Sequence, residues 1–220
     1  NIDTRIDIKE KKFMNIFTKH YIWKKAKREH IKLPKNYEEK LQKYYDVVHK
    51  QGYKLVFPLV SNMNRKLLDA NAGFLKIIIA TPEWAYQLIT NSNKELENKF
   101  LITLGHELTH KDGKDISLFK YGIRSSKFVA WVNEVHADFG SVEKVENCNR
   151  EMLINSFLTR EKYIEHGDRH SHPSNERRLE YAQKYDFNDE LIEKIARDVG
   201  YQNQKIINAV KKHFEDVILK

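Results

Sequence analysis

Residues 106–110 read His106-Glu107-Leu108-Thr109-His110, and two histidines four apart on an α-helix project from the same face. The spacing has chemical meaning only if the stretch is helical. Leu96, Phe100, Leu101, Leu104 and Leu108 recur at helical intervals, which predicts an amphipathic helix over residues 93–111 with Asn93 or Ser92 as its cap. The five residues alone are a weak signal. With ten histidines and nineteen glutamates in 220 residues, chance produces an H-E-x-x-H with a probability of roughly 4%. The remaining chain must therefore supply companion residues.

A helical histidine pair of this kind grips a transition metal, and zinc accepts imidazole nitrogen readily. A catalytic zinc takes three protein ligands and leaves one position for water, so a third ligand is required. The next long helix is expected to begin near Ser125 or Ser126, with Phe128, Val129, Val132, Val135, Phe139 and Val142 on its apolar side. Within it stands Glu134-Val135-His136-Ala137-Asp138. Glu134 and Asp138 are four apart and share a face. Glu134 is the expected third ligand, and Asp138 is expected to accept a hydrogen bond from the far nitrogen of a ligating histidine and fix its tautomer. Ala137 is small enough to let the two helices approach, and His136 falls on another face, where a structural or exposed role is expected. Glu107 follows the first histidine directly and is placed to act as general base on a water whose pKa the metal lowers. The expected chemistry is peptide hydrolysis with one Zn2+ per chain. Zinc is favoured over other divalent transition metals by availability rather than by the donor set.

His106-Glu107-x-x-His110 followed by Glu134-x-x-Ala137-Asp138 resembles a gluzincin metallopeptidase. Two branches share parts of the pattern. The thermolysin-like branch is similar in the strings HELTH and NE-x-x-x-D. The branch of CAAX-prenyl endopeptidases, HtpX heat-shock proteases and the mitochondrial inner-membrane stress protease is similar in the Ala137-Asp138 pairing and in Asn71-Ala72 before a strand. His172-Pro173 followed by Arg178, opening a helix, resembles the second branch alone, and the similarity spans residues 70–182. It implies that His106, His110 and Glu134 bind zinc, that Glu107 is the base, and that His172 and Arg178 stand at the rim of the site. One or both would stabilise the oxyanion that forms on the attacked carbonyl. His170, Tyr163, Tyr181 and His166 are alternatives for that last role. Only 23 residues separate His110 from Glu134, where relatives often carry longer insertions with membrane helices, so membrane substrates are not implied.

Composition limits the remaining choices. The longest apolar runs, such as Ile77-Ile78-Ile79-Ala80, are strand-length and far short of the ~20 residues of a membrane helix. The single Cys148 allows no internal disulfide, which suits a reducing compartment such as the cytoplasm without requiring one. The sequence starts at Asn1, so a processed start after a signal peptide or an anchor stays open. Of the +8 net charge, nearly all lies in residues 1–50, with 14 Lys or Arg against 7 Asp or Glu, while the other 170 residues hold 25 against 24. Such a region suits an acidic partner or a membrane surface. No nucleic-acid motif accompanies it, and nucleic acid is not an expected partner.

The remaining elements follow from periodicity and punctuation. Ile6, Phe13, Ile16, Phe17, Tyr21 and Trp23 predict one long or broken helix over residues 2–31, its aromatics read as core, and a second helix runs from 36 to 50 before Gly52. Strands are expected over residues 53–57 and 74–80, and the exposed edge of the second is a candidate for pairing with an extended peptide. Thr81-Pro82-Glu83 opens a short helix ending at Asn91, and a helical turn is expected over 115–121. Helices capped by Ser174, Asn188 and Asn203 should end near Tyr185, Gly200 and Leu219. The fold class is α+β and mainly helical, with the motif helix packed on a small β-sheet and on the second zinc-ligand helix. Residues 1–50 form a basic helical N-terminal region, 51–185 a zinc metallopeptidase core, and 186–220 C-terminal helices packing on the core. Two other functions fit the same residues: a regulatory protease selective for one partner protein, or an inactive zinc-binding interaction module. An intact Glu107 argues against the last, because a purely structural site has no use for a base.

Overall fold

The computed structural model describes residues 14–58, 68–73, 76–91, 93–159 and 167–218. The architecture is α+β and mainly helical, as the patterning predicts, and the small sheet is mixed with three strands, one more than the sequence pattern marks. No helix among the described residues is long and apolar enough to cross a membrane. The chain forms two compact units, residues 1–93 and 94–220, and the division falls within the region 51–185 read as one core.

In the first unit, α1 (Ile16–Arg28) starts where the Asn15 side chain accepts the Thr18 N–H at 2.8 Å. Its buried seam is Met14, Thr18, Ile22 and Ala26, spaced four apart, and Phe17 and Trp23 lie on the opposite, exposed face. The reading of Phe17 and Trp23 as core is therefore corrected: Thr18, Ile22 and Ala26 make the helix's contact and these two rings face outward, while Tyr21 is half-buried. Ile2, Ile6 and Phe13 lie outside the described residues. After the Leu33-Pro34 break, a 3-10 turn (Tyr37–Leu41) runs into α2 (Gln42–Lys50), which Gly52 closes at φ 81°. Strand β1 (Lys54–Val56) pairs in parallel with β3 (Ile77–Ala80), and β2 (Ala70–Ala72) pairs antiparallel with β3 on its other side. The strand expected over 74–80 is thus the central one, so no edge of it is open to a peptide. Helix α3 (Pro82–Thr90) has Pro at its first turn, and its buried Glu83 takes the Lys25 ammonium at 2.6 Å and the Tyr21 hydroxyl at 2.9 Å, which locks α1 to α3.

The second unit is built on the antiparallel pair α4 (Lys94–His110) and α5 (Ser126–Lys144). Between them residues 118–121 form turns rather than the expected helical turn, followed by a short 3-10 segment (Ile123–Ser125). α6 (Arg150–Leu158) and α7 (Asn175–Lys184) meet α4 in a cluster of Ile102, Leu153, Phe157 and Ala182. α8 (Asp189–Asp198) and α9 (Gln204–His213) cover the far face of α5, where Phe128, Val132 and Val135 meet Leu191, Ile195, Ile207 and Val210. The last helix expected from the pattern breaks at Phe214, with α10 (Glu215–Ile218) beyond it.

Candidate metal centre

The motif occupies the last turns of α4, and the rings of His106 and His110 lie edge to face with centroids 4.7 Å apart. Contacts run Gly105 to Ser141, His106 to Asp138 and His110 to Glu134, the order of an antiparallel pair. Two glycines allow this approach. A Cβ on Gly105 would lie 2.5 Å from the Ser141 carbonyl oxygen, and one on Gly140 would lie 2.5 Å from Thr109 Cγ2. Ala137 is fully buried in the same helix, but the tightest points are these two glycines.

Three donor groups converge there. His106 Nε2 and His110 Nε2 are 3.1 Å apart, and the two oxygens of Glu134 lie 3.5 Å from His106 Nε2 and 3.6 Å from His110 Nε2. Tetrahedral coordination with bonds of about 2.0–2.1 Å separates neighbouring ligand atoms by about 3.3 Å. The observed edges bracket that value.

The other ring nitrogens decide what these donors present. His106 Nδ1 lies 2.9 Å from Asp138 Oδ1, and His110 Nδ1 lies 2.7 Å from Asp115 Oδ2. An ionised carboxylate only accepts, so each Nδ1 carries the hydrogen and, in the neutral ring, each Nε2 presents a lone pair. Two lone pairs and a carboxylate aimed at one point repel unless a positive charge joins them. Burial opposes a positive charge on His106, but the hydrogen bonds to Asp138 and Glu134 outweigh it and push His106 up to about 10. Burial likewise works against ionised Glu134, yet His106 and Arg178 hold it down at about 2. Asp138 sits well below the usual carboxylate range, because Arg178 and His106 outweigh its burial. The donor set, the tautomers and the spacing all fit a divalent transition metal bound by His106, His110 and Glu134.

Arg178 is placed differently from a residue at the rim. It is 7% exposed, its Nε donates to Asp138 Oδ2 at 2.7 Å, and a second guanidinium nitrogen donates to Asp138 Oδ1. The second shared partner of Asp138 is His106, so Arg178 acts on the centre through Asp138 and not on a bound carbonyl. Glu107 is buried, and with Asp138 and Glu134 it keeps Arg178 charged against the cost of burial. His172 is exposed, and its carbonyl accepts the Arg169 N–H at 2.9 Å. Among the alternatives, His170 Nε2 lies 2.9 Å from Ser126 Oγ, and Tyr181 donates to Asp198 at 2.6 Å. Tyr163 and His166 lie outside the described residues. His136 is buried between Phe187 and Phe214, and burial lowers it to about 4, a neutral structural residue.

Asp115 carries no mark in the sequence pattern. It comes from the irregular segment after α4, which is held by a reciprocal clamp: Ile116 N–H donates to Asn133 Oδ1 at 3.0 Å and Asn133 Nδ2 donates to the Ile116 carbonyl at 2.8 Å. An open cleft of about 490 Å³ leads to the centre, with His110, Glu134, Asp115, Leu118, Ala130 and Ser171 in its walls.

Fold and site define an α+β chain with a candidate two-histidine, one-carboxylate metal centre on two antiparallel helices. Comparisons with known protein families, with curated proteins and with solved structures give no match.

Proposed function

We propose that the chain is a zinc-dependent endopeptidase with one zinc held by His106, His110 and Glu134, of the gluzincin type that its motifs resemble. The observation that carries the reading is the convergence of three donors at 3.1–3.6 Å, with both histidines oriented by carboxylates on their outer nitrogens. When bound, zinc supplies a water acidified toward neutrality and polarises the scissile carbonyl. With the metal bound, Glu107 would be the residue that takes a proton from water at the centre and returns it to the leaving amine. Asp138 and Asp115 hold the two imidazoles in the tautomer that ligates, and Arg178 keeps Asp138 ionised. The cleft beside His110 and Glu134 receives the peptide.

Hydrolysis of unfolded casein by the zinc-loaded protein and by Glu107→Ala tests the activity. Cleavage by wild type that is lost in Glu107→Ala is the expected result. Zinc bound in full with casein left intact selects the narrower reading, a protease restricted to one partner protein. Equal cleavage by both proteins would contradict the assignment of Glu107.

A further inference from the structure

Helix α1 buries one side and leaves the other bare. At 100° per residue, Ile16, Phe17, His20, Trp23, Lys24 and Lys27 fall within an arc of about 120°, opposite the buried seam. Three of them are large apolar side chains that are mostly in solvent: Ile16 at 74%, Phe17 at 67% and Trp23 at 53% exposure. Exposed single apolar residues are ordinary, but three on one arc of one helix are a patch. The charge carried by α1 itself has one sign. α1 contains no acidic residue, and its inward lysines are already engaged, Lys25 by Glu83 and Lys19 by Glu38, each at 2.6 Å. Lys24 and Lys27 remain on the outer arc, with the Lys27 ammonium 5.3 Å from the Trp23 ring centre.

We propose that this face of α1 docks the chain on an anionic lipid surface. Ile16, Phe17 and Trp23 enter the headgroup region, and Lys24 and Lys27 meet the lipid phosphates. The chemistry separates this occupant from two others. A nucleic acid backbone would engage the lysines but offers nothing to Ile16 and Phe17. An acidic protein would need a groove to receive a convex helix face, whereas a bilayer surface accepts one directly and takes aromatic and lysine side chains at its interface. The proposal stands apart from the metal centre and does not depend on it.

The test mixes the full chain with phosphatidylcholine vesicles, with and without phosphatidylglycerol, and follows co-sedimentation and tryptophan emission. Trp84 and Trp131 are buried at 1% and 0% exposure, so a blue shift on vesicle addition reports Trp23. Binding to the phosphatidylglycerol vesicles with a blue shift is expected, weakened by salt and by about fivefold for each of Lys24→Gln and Lys27→Gln. Phe17→Ser should weaken it by about tenfold, and Trp23→Phe should remove the shift while sparing most of the binding. All these residues are exposed, so the circular dichroism of the variants should match wild type. Absence of co-sedimentation, binding indifferent to these substitutions, or retention on a polyanion or an acidic protein without vesicle binding would each overturn the proposal.

Discussion

Asp138 stands between two charged partners, and its position states what each residue around the centre contributes. It orients His106 through Nδ1 and is itself held ionised by Arg178. Removing one member of a buried pair leaves the other uncompensated, so Arg178→Met should destabilise the protein by about 3–5 kcal/mol in denaturant unfolding. An unchanged midpoint would show that the pair is not formed. Asp115→Asn and Asp138→Asn keep the shape but change the hydrogen-bond partner of the ligating ring, and each should weaken zinc binding by about 10–100-fold in competition with a chelating dye. Glu107→Gln should bind zinc like wild type and lose peptidase activity by about 10²–10⁴-fold. The residues around the centre divide by how visible they are in the sequence. His106, Glu107, His110, Glu134 and Asp138 stand on long periodic helices, where a spacing of four translates into a shared face. Asp115 was illegible because it reaches His110 from irregular chain, where sequence spacing says nothing about direction. Arg178 is legible as a residue of the site, but its pairing inward to Asp138 depends on how α7 packs on α5, which no local pattern encodes.

The α4–α5 contact depends on Gly105 and Gly140, and the two differ in what a methyl group would meet. On Gly105 it meets Ser141 backbone, and on Gly140 it meets the Thr109 side chain. Gly105→Ala should therefore cost more than Gly140→Ala, about 3 against about 1 kcal/mol in chemical unfolding, since a backbone must shift in one case and a side chain in the other. The reverse order would mean that the helices can slide apart at Gly105. Elements are legible where apolar residues recur at a clean period, as in α4 and α5, or where a cap and a glycine mark both ends, as in α8. Strand β2, Ala70–Ala72, was missed because three residues without bulky side chains carry no alternation, and its partner β3 supplies the order. In α1 the period was read from the large side chains, whereas the buried seam is Met14, Thr18, Ile22 and Ala26, two of them too small or polar to register as core.

For the molecule as a whole, proton and metal compete for one position, and that sets how stability varies with pH. In the metal-free chain His106 is raised to about 10 from its ordinary value, so the stability it contributes is present in full below about 6.5 and is lost as the pH rises through about 10. Glu134 and Asp138 are depressed, so their contribution is present above the ordinary carboxylate range and lost only as the pH falls through their lowered values. Zinc must displace the His106 proton. The gain in melting temperature on adding zinc should therefore grow from about pH 6 toward about pH 9, as ligation requires the neutral ring. At a hundredfold excess over the dissociation constant the gain corresponds to about 2.7 kcal/mol. A gain that shrinks with rising pH would place the metal elsewhere. The central claim is the three-ligand centre, and the most direct test is zinc content per chain by elemental mass spectrometry on wild type and on Glu134→Ala. The centre predicts one zinc per wild-type chain and loss of it in Glu134→Ala. A wild type that stays metal-free after reconstitution, or a Glu134→Ala that keeps its zinc, would contradict it.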